Sequence, residues 1–77
     1  MNLSDIKPGR KARVTSLCVK GSIRRRLLDI GLIEGTEVEC ITIGPGGDPK
    51  AYLIRGAAIA IRKEDAEKIL VSVNGVD

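Results

Sequence analysis

Few side chains of this protein could do covalent chemistry. It has no histidine, and its only thiols are Cys18 and Cys40. A nucleophilic Ser or Cys needs an adjacent base to take its proton, and histidine is the commonest such base. Nor does any pair of carboxylates fall at a helical spacing that would aim both into one pocket. A catalytic role is therefore not expected. Metal chemistry is no better supplied. Cys18 and Cys40 lack any surrounding ligand cluster, which leaves iron only surface carboxylates such as Glu34, Glu37, Glu39, Glu64, Asp65 and Glu67. Carboxylates alone make weak, unselective sites for a transition metal. We expect no metal site and no cofactor.

What the chain does offer is charge for binding. Its 13 Lys and Arg against 10 Asp and Glu give a net charge of +3. Eight of the basic residues fall between Lys7 and Arg26, and no acid lies between Asp5 and Asp29. A basic face implies an acidic protein surface, a phosphate backbone or an anionic lipid surface as partner. The densest stretch is Arg24-Arg25-Arg26, followed by Leu27, Leu28, Asp29, Ile30, Gly31, Leu32 and then Gly35-Thr36. The triplet admits two readings, a solvated helix face or a contact with an acidic patch. Successive helical residues lie about 100° apart, so at most two of Arg24, Arg25 and Arg26 share a surface. Leu27 and Leu28 divide similarly: Leu27 is expected in the core, while Leu28 and Leu32 remain partly exposed as apolar anchors beside the arginines.

The element that must position them is a helix over Ser22–Ile30. Ser22 is the expected N-cap. Ile23, Leu27 and Ile30 recur at helical spacing, and Gly31 supplies the left-handed residue that ends the helix. Arginine in a first helical turn opposes the helix dipole, so something other than helix stability favours it there. Around this helix the pattern is strand-like. Lys11–Val19 reads as a strand whose alternation slips near Thr15-Ser16, where a bulge would restore it. Thr36–Ile43 and Ala51–Arg55 read as a hairpin joined by a wide tip, Gly44-Pro45-Gly46-Gly47-Asp48-Pro49, in which Asp48 is expected to bond its own backbone. That tip lacks the Gly-Lys-Ser/Thr ending and following helix of a phosphate-binding loop. Gly56 breaks the third strand, and Ala58–Arg62 starts a fourth with Ile59 and Ile61 inward. Glu64–Leu70 reads as a helical turn with Ala66, Ile69 and Leu70 inward, and Val71–Val73 as a last strand. A turn at Leu3–Ile6, ended by Pro8-Gly9, precedes the first strand.

These elements describe an all-β fold with small helices. It is a five-stranded, partly open barrel, with one short helix after the first strand and a helical turn before the last. With 77 residues, residues 1–77 are read as one domain, near the lower size at which a core holds without a staple. The core is aliphatic, built from ten Ile, seven Leu and six Val, with Tyr52 the sole aromatic. It has little material to wall a deep ligand pocket. Both cysteines lie in apolar strand patterns and read as small buried hydrophobes. No secretory start opens the sequence, and the longest apolar run, Ala57–Ile61, is too short to span a bilayer. A cytoplasmic location without membrane insertion is expected. Tyr52 is the only ring on which a base could stack, which argues against nucleic acid as the partner. An RNA- or DNA-binding barrel remains the alternative reading, with a metal-responsive sensor behind it. An exposed barrel edge would be free to pair with another copy.

The sequence resembles the FeoA family, small SH3-like proteins of bacterial ferrous-iron uptake. The resemblance rests on three pieces in order. Arg24-x-Arg26-Leu27-x-x-Ile30-Gly31-Leu32 with Gly35-Thr36 follows the family's R-x-R-L-x-x-L-G-L-x-P-G-T pattern, with Glu34 in place of its Pro. Pro45-Gly46-Gly47-Asp48-Pro49 follows its P-x-G-D-P turn. Gly56, Ile59-Ala60-Ile61-Arg62, Ala66 and Ile69-Leu70-Val71 follow its G-x-x-I-A-L-R, Ala and I-x-V ending. The resemblance implies an SH3-like fold and a partner, the FeoB-type membrane transporter with its cytosolic G-protein domain, on which the protein would dock to regulate transport. The same unit resembles the C-terminal domain of DtxR-type repressors, but a helix-turn-helix domain is not expected in so short a chain. The partner-binding residues then expected are Arg24, Arg25, Arg26, Leu27, Leu28, Gly31 and Leu32. Gly35, Pro45, Gly47, Asp48, Pro49 and Gly56 are expected to shape turns.

Overall fold

The computed structural model describes residues 1–73. A 3-10 turn at Leu3–Asp5 leads into β1 (Lys11–Leu17), α1 (Gly21–Asp29) and β2 (Glu37–Ile43). A second 3-10 turn, Pro45–Gly47, connects to β3 (Lys50–Ile54), followed by β4 (Ala57–Ile61), α2 (Lys63–Ala66) and β5 (Ile69–Ser72). The five strands form one antiparallel sheet in the order β4-β3-β2-β1-β5. This is the open five-stranded antiparallel architecture that the strand pattern predicts.

Two bulges bend the sheet. One falls between Val14 and Ser16, where β1 meets β5, and moves the inward parity from Ala12 and Val14 to Leu17 and Val19 as the sequence requires. The other falls between Cys40 and Thr42, opposite β3. The concave side gathers Val14, Val38, Cys40, Tyr52, Ile54, Ile61, Ile69 and Val71, and α1 closes one end of this core with Leu27. Leu3 and Ile6 from the N-terminal turn also join it. That turn is held by strand β3: Lys50 Nζ donates to the carbonyls of Ser4 (2.7 Å) and Ile6 (3.2 Å), and the Tyr52 hydroxyl donates to that of Leu3 (3.3 Å). Its own ends are tied by Asn2 and Asp5, each side chain accepting from a backbone N–H of the turn.

Several local expectations are revised. Helix α1 begins at Gly21 with Lys20 as its N-cap, so Ser22 lies within the first turn, and no side chain caps the helix start. Cys18 is exposed, because past the bulge Leu17 and Val19 point inward and the residue between them points out, whereas Cys40 is buried. Leu70 is exposed because β5 starts at Ile69; strand alternation then points Ile69 and Val71 inward and Leu70 out. The β3–β4 connection is a two-residue turn, Arg55-Gly56, with φ of 48° and 83°. Positive φ at both positions is the backbone of the tight hairpin turn whose twist matches the strands, and it is why Gly56 stands there.

Candidate functional site

The most distinctive local structure surrounds the end of α1. The Gly31 N–H donates to the Leu28 carbonyl (3.0 Å) and the Leu32 N–H reaches back to that of Leu27 (2.9 Å). With Gly31 at φ 92°, this is a Schellman stop, in which the second residue past the cap packs against the helix's last inward residue. Leu32 therefore folds onto Leu27, and both are core, at 0% and 1% exposure. The expectation that Leu32 stands partly exposed is overturned. The exposed aliphatic residue here is its neighbour Ile33, at 48%. The rule that fixes Leu32 was readable from Gly31, since in a glycine stop the residue immediately after the glycine packs back onto the helix.

The chain beyond Leu32 is drawn back by Thr36. Its hydroxyl accepts from the Ile33 N–H (3.0 Å) and donates to the Gly31 carbonyl (3.0 Å). Arg55, from the β3–β4 turn, also donates its Nε to that carbonyl (2.8 Å). A guanidinium beside the carbonyl end of a helix is favourably placed against the dipole. Arg13 donates to the Gly35 carbonyl (2.9 Å), with Gly35 at φ 87°. The Gly-Leu…Gly-Thr sequence thus fastens α1 to both β1 and the β3–β4 hairpin.

Between α1 and this turn lies an open groove of about 500 Å³, lined by Ser16, Leu17, Arg24, Leu28, Ile33 and Glu34. Leu28 is 39% exposed, one position round the helix from buried Leu27. Arg24 is half-buried, and its Nη1 donates to the Leu17 carbonyl where β1 ends (3.0 Å). It is thus partly engaged within the fold, while Arg25 and Arg26 are exposed. The fold brings Arg24 and Leu28 together and adds Leu17, Ile33 and Glu34, which were not singled out as contact residues.

The expected turn residues lie elsewhere. Pro45 and Gly47 bound the hairpin-tip turn, and Gly47 has φ 89°. Asp48 does not bond its own backbone. Its Oδ1 accepts from the Lys63 N–H (2.9 Å), capping the first free donor of α2 from across the chain. The Pro49 carbonyl accepts from Gly44 (2.8 Å), closing the loop at its base. Among the described residues no group of three or more acidic or thiol ligands could hold a metal ion, and no helix is long and apolar enough to cross a membrane. Burial pushes the Cys40 thiol and, further, the Tyr52 hydroxyl above their ordinary pKa values. Tyr52 is 1% exposed, so its ring cannot receive a stacked base.

A family model described as "FeoA domain" matches residues 1–73. A Porphyromonas gingivalis (strain ATCC BAA-308 / W83) protein described as an Fe(2+) transport protein A/Fe(2+) transporter FeoB fusion protein is 32% identical over 73 residues. That match covers 95% of this chain and only 9% of the fusion protein's length. Among solved structures, the FeoA protein of Chlorobium tepidum superposes with a TM-score of 0.91 at 36% identity, over 100% of this chain and 73% of that one. The zinc complex of Stenotrophomonas maltophilia FeoA, described as an SH3 domain protein, superposes with a TM-score of 0.82 at 30% identity, over 94% and 89% of the two chains. The open five-stranded barrel is accordingly SH3-like, and the chain belongs to the FeoA family.

Proposed function

We propose that this protein is a single-domain cytoplasmic accessory component of ferrous-iron transport, with no catalytic reaction of its own. It docks on the cytosolic part of a FeoB-type transporter through the groove between α1 and the Ile33-Glu34 turn, and regulates transport from there. The observation that carries this reading is the P. gingivalis protein, whose description joins FeoA and FeoB in one polypeptide. Joining two modules covalently raises their effective concentration at each other's surface, an arrangement suited to partners that act in contact. The groove has the makings of a contact site. Leu28 and Ile33 give an apolar centre, and Arg24 and Arg25, four and three residues before Leu28 on the helix, give a basic rim.

The test is calorimetric titration of the protein with the cytosolic part of its own organism's FeoB-type transporter. Leu28→Gln, at an exposed position, should keep the fold and weaken binding by about 30-fold, as expected for loss of an apolar anchor worth about 2 kcal/mol. Leu27→Gln is not diagnostic, because Leu27 is core. A folded Leu28→Gln protein that binds like wild type would remove the groove from the interface.

A further inference from the structure

β4 is an edge strand without the protection that edges usually carry. It pairs with β3 in unbroken register on one side. The two-residue turn makes Ile54 and Ala57 a pair that exchanges hydrogen bonds, and the antiparallel pattern then alternates. Ile59 exchanges bonds with Tyr52 and Ile61 with Lys50, while Ala58 and Ala60, opposite Leu53 and Ala51, turn their N–H and C=O groups outward. Among the described residues no other backbone hydrogen bond reaches those four groups. The opposite edge is treated differently. There the Met1 carbonyl accepts from Val71 (3.0 Å) and Asn2 bridges Leu70, so the N-terminal segment covers β5. Edges are commonly blunted by lysine, proline or a bulge, yet β4 reads Ala-Ala-Ile-Ala-Ile with Ala57, Ala58 and Ala60 exposed.

We infer that β4 pairs antiparallel with β4 of a second copy of this chain, about a twofold axis passing through Ile59. Symmetry selects that occupant. The axis sets Ala58 against Ala60 of the second copy and Ala60 against its Ala58, so each outward N–H meets an outward C=O. All such groups on both strands are then satisfied by four hydrogen bonds. On the outer face the facing side chains are methyl groups, which offer no obstruction. On the inner face half-buried Ile59 meets Ile59 of the second copy, a cross-strand aliphatic pair. Each copy carries a net charge of +3, so like charges oppose association, and added salt screens them. A strand pair this short is smaller than a standard interface, so the dimer forms at high protein concentration and tightens as salt is raised.

Sedimentation equilibrium of the full chain over a range of concentrations tests this, at about 50 mM and about 500 mM NaCl. The expected result is a monomer–dimer equilibrium with a tighter dimer at the higher salt. Ala58→Pro deletes an outward N–H on each chain and leaves the β3 ladder whole, since proline is tolerated where an edge-strand N–H faces solvent. It removes two of the four bonds and should weaken the dimer by at least about tenfold. Ala60→Lys places a charge at the edge without altering the backbone and should do the same; it decides the matter should Ala58→Pro fail to fold. A chain that stays monomeric, a dimer that loosens as salt is added, or a dimer untouched by a folded Ala60→Lys variant would each overturn the inference.

Discussion

Gly31 is the residue on which the geometry around α1 turns. Its φ of 92° disfavours any side chain, and a Cβ there would lie 2.5 Å from Arg55 Cδ and 2.6 Å from its Nε. Gly31→Ala should therefore lower stability by about 1–3 kcal/mol in urea unfolding. Arg55→Ala alone, losing one hydrogen bond to the Gly31 carbonyl, should lower it by about 1 kcal/mol. The double variant should cost less than the sum, because removing Arg55 clears the space a methyl at position 31 would fill. The two leucines after the arginines make a second contrast. Leu32→Ala empties a fully buried site and should cost about 2–5 kcal/mol, whereas Leu28 is exposed enough for its substitution to test binding and not folding. The two thiols differ as sharply. An alkylating reagent should modify exposed Cys18 in the native protein and reach buried Cys40 only on unfolding. Burial both shields Cys40 and holds its thiol protonated, while alkylation requires the thiolate.

At the scale of elements, α2 depends on a residue far from it in sequence. The Asp48 carboxylate is the acceptor for its first free N–H, and no side chain next to α2 takes that role. Asp48→Ala should cost about 1 kcal/mol, in line with loss of a helix cap, and should speed hydrogen exchange at the Lys63 amide, which NMR can read directly. Asp48→Asn keeps an oxygen acceptor and should recover much of that loss. This contact also marks how far the sequence could be read. The glycine stop of α1, the bulge after Val14 and the hairpin tip were legible because each follows from local backbone or parity rules. The Asp48 cap, the reach of Arg24 to the Leu17 carbonyl and the bulge after Cys40 were not. They depend on which segments the fold brings together, and nothing in the neighbouring residues announces that. The groove was half legible for the same reason: helical spacing offers Leu28, but Leu17 and Ile33 become its neighbours only when the strand end and the post-helix turn meet. Leu70 failed differently, being assigned a helical period where the chain is already a strand.

For the whole molecule, alkaline pH should be destabilising. Burial raises the Cys40 thiol above its ordinary value of 9.0 and likewise raises the Tyr52 hydroxyl above 10.0. Above those ordinary values the unfolded chain sheds protons that the folded chain keeps. Stability is therefore full below about pH 9 and falls as pH rises further. Urea midpoints measured between about pH 8 and about pH 11 should show this decline, and Cys40→Ala should make it shallower without abolishing it, because the phenol remains. The strap formed by the N-terminal turn has a consequence for how the barrel comes into being. Leu3 and Ile6 are synthesised early, yet the groups that hold their segment belong to Lys50, Tyr52 and Val71. At elongation rates of about 5–20 residues per second, two core side chains must wait on the order of seconds for their seat to be made. Closure of the barrel is thus a late event, timed by the emergence of β5, and until then the early apolar turn is open to whatever else in the cell would take it.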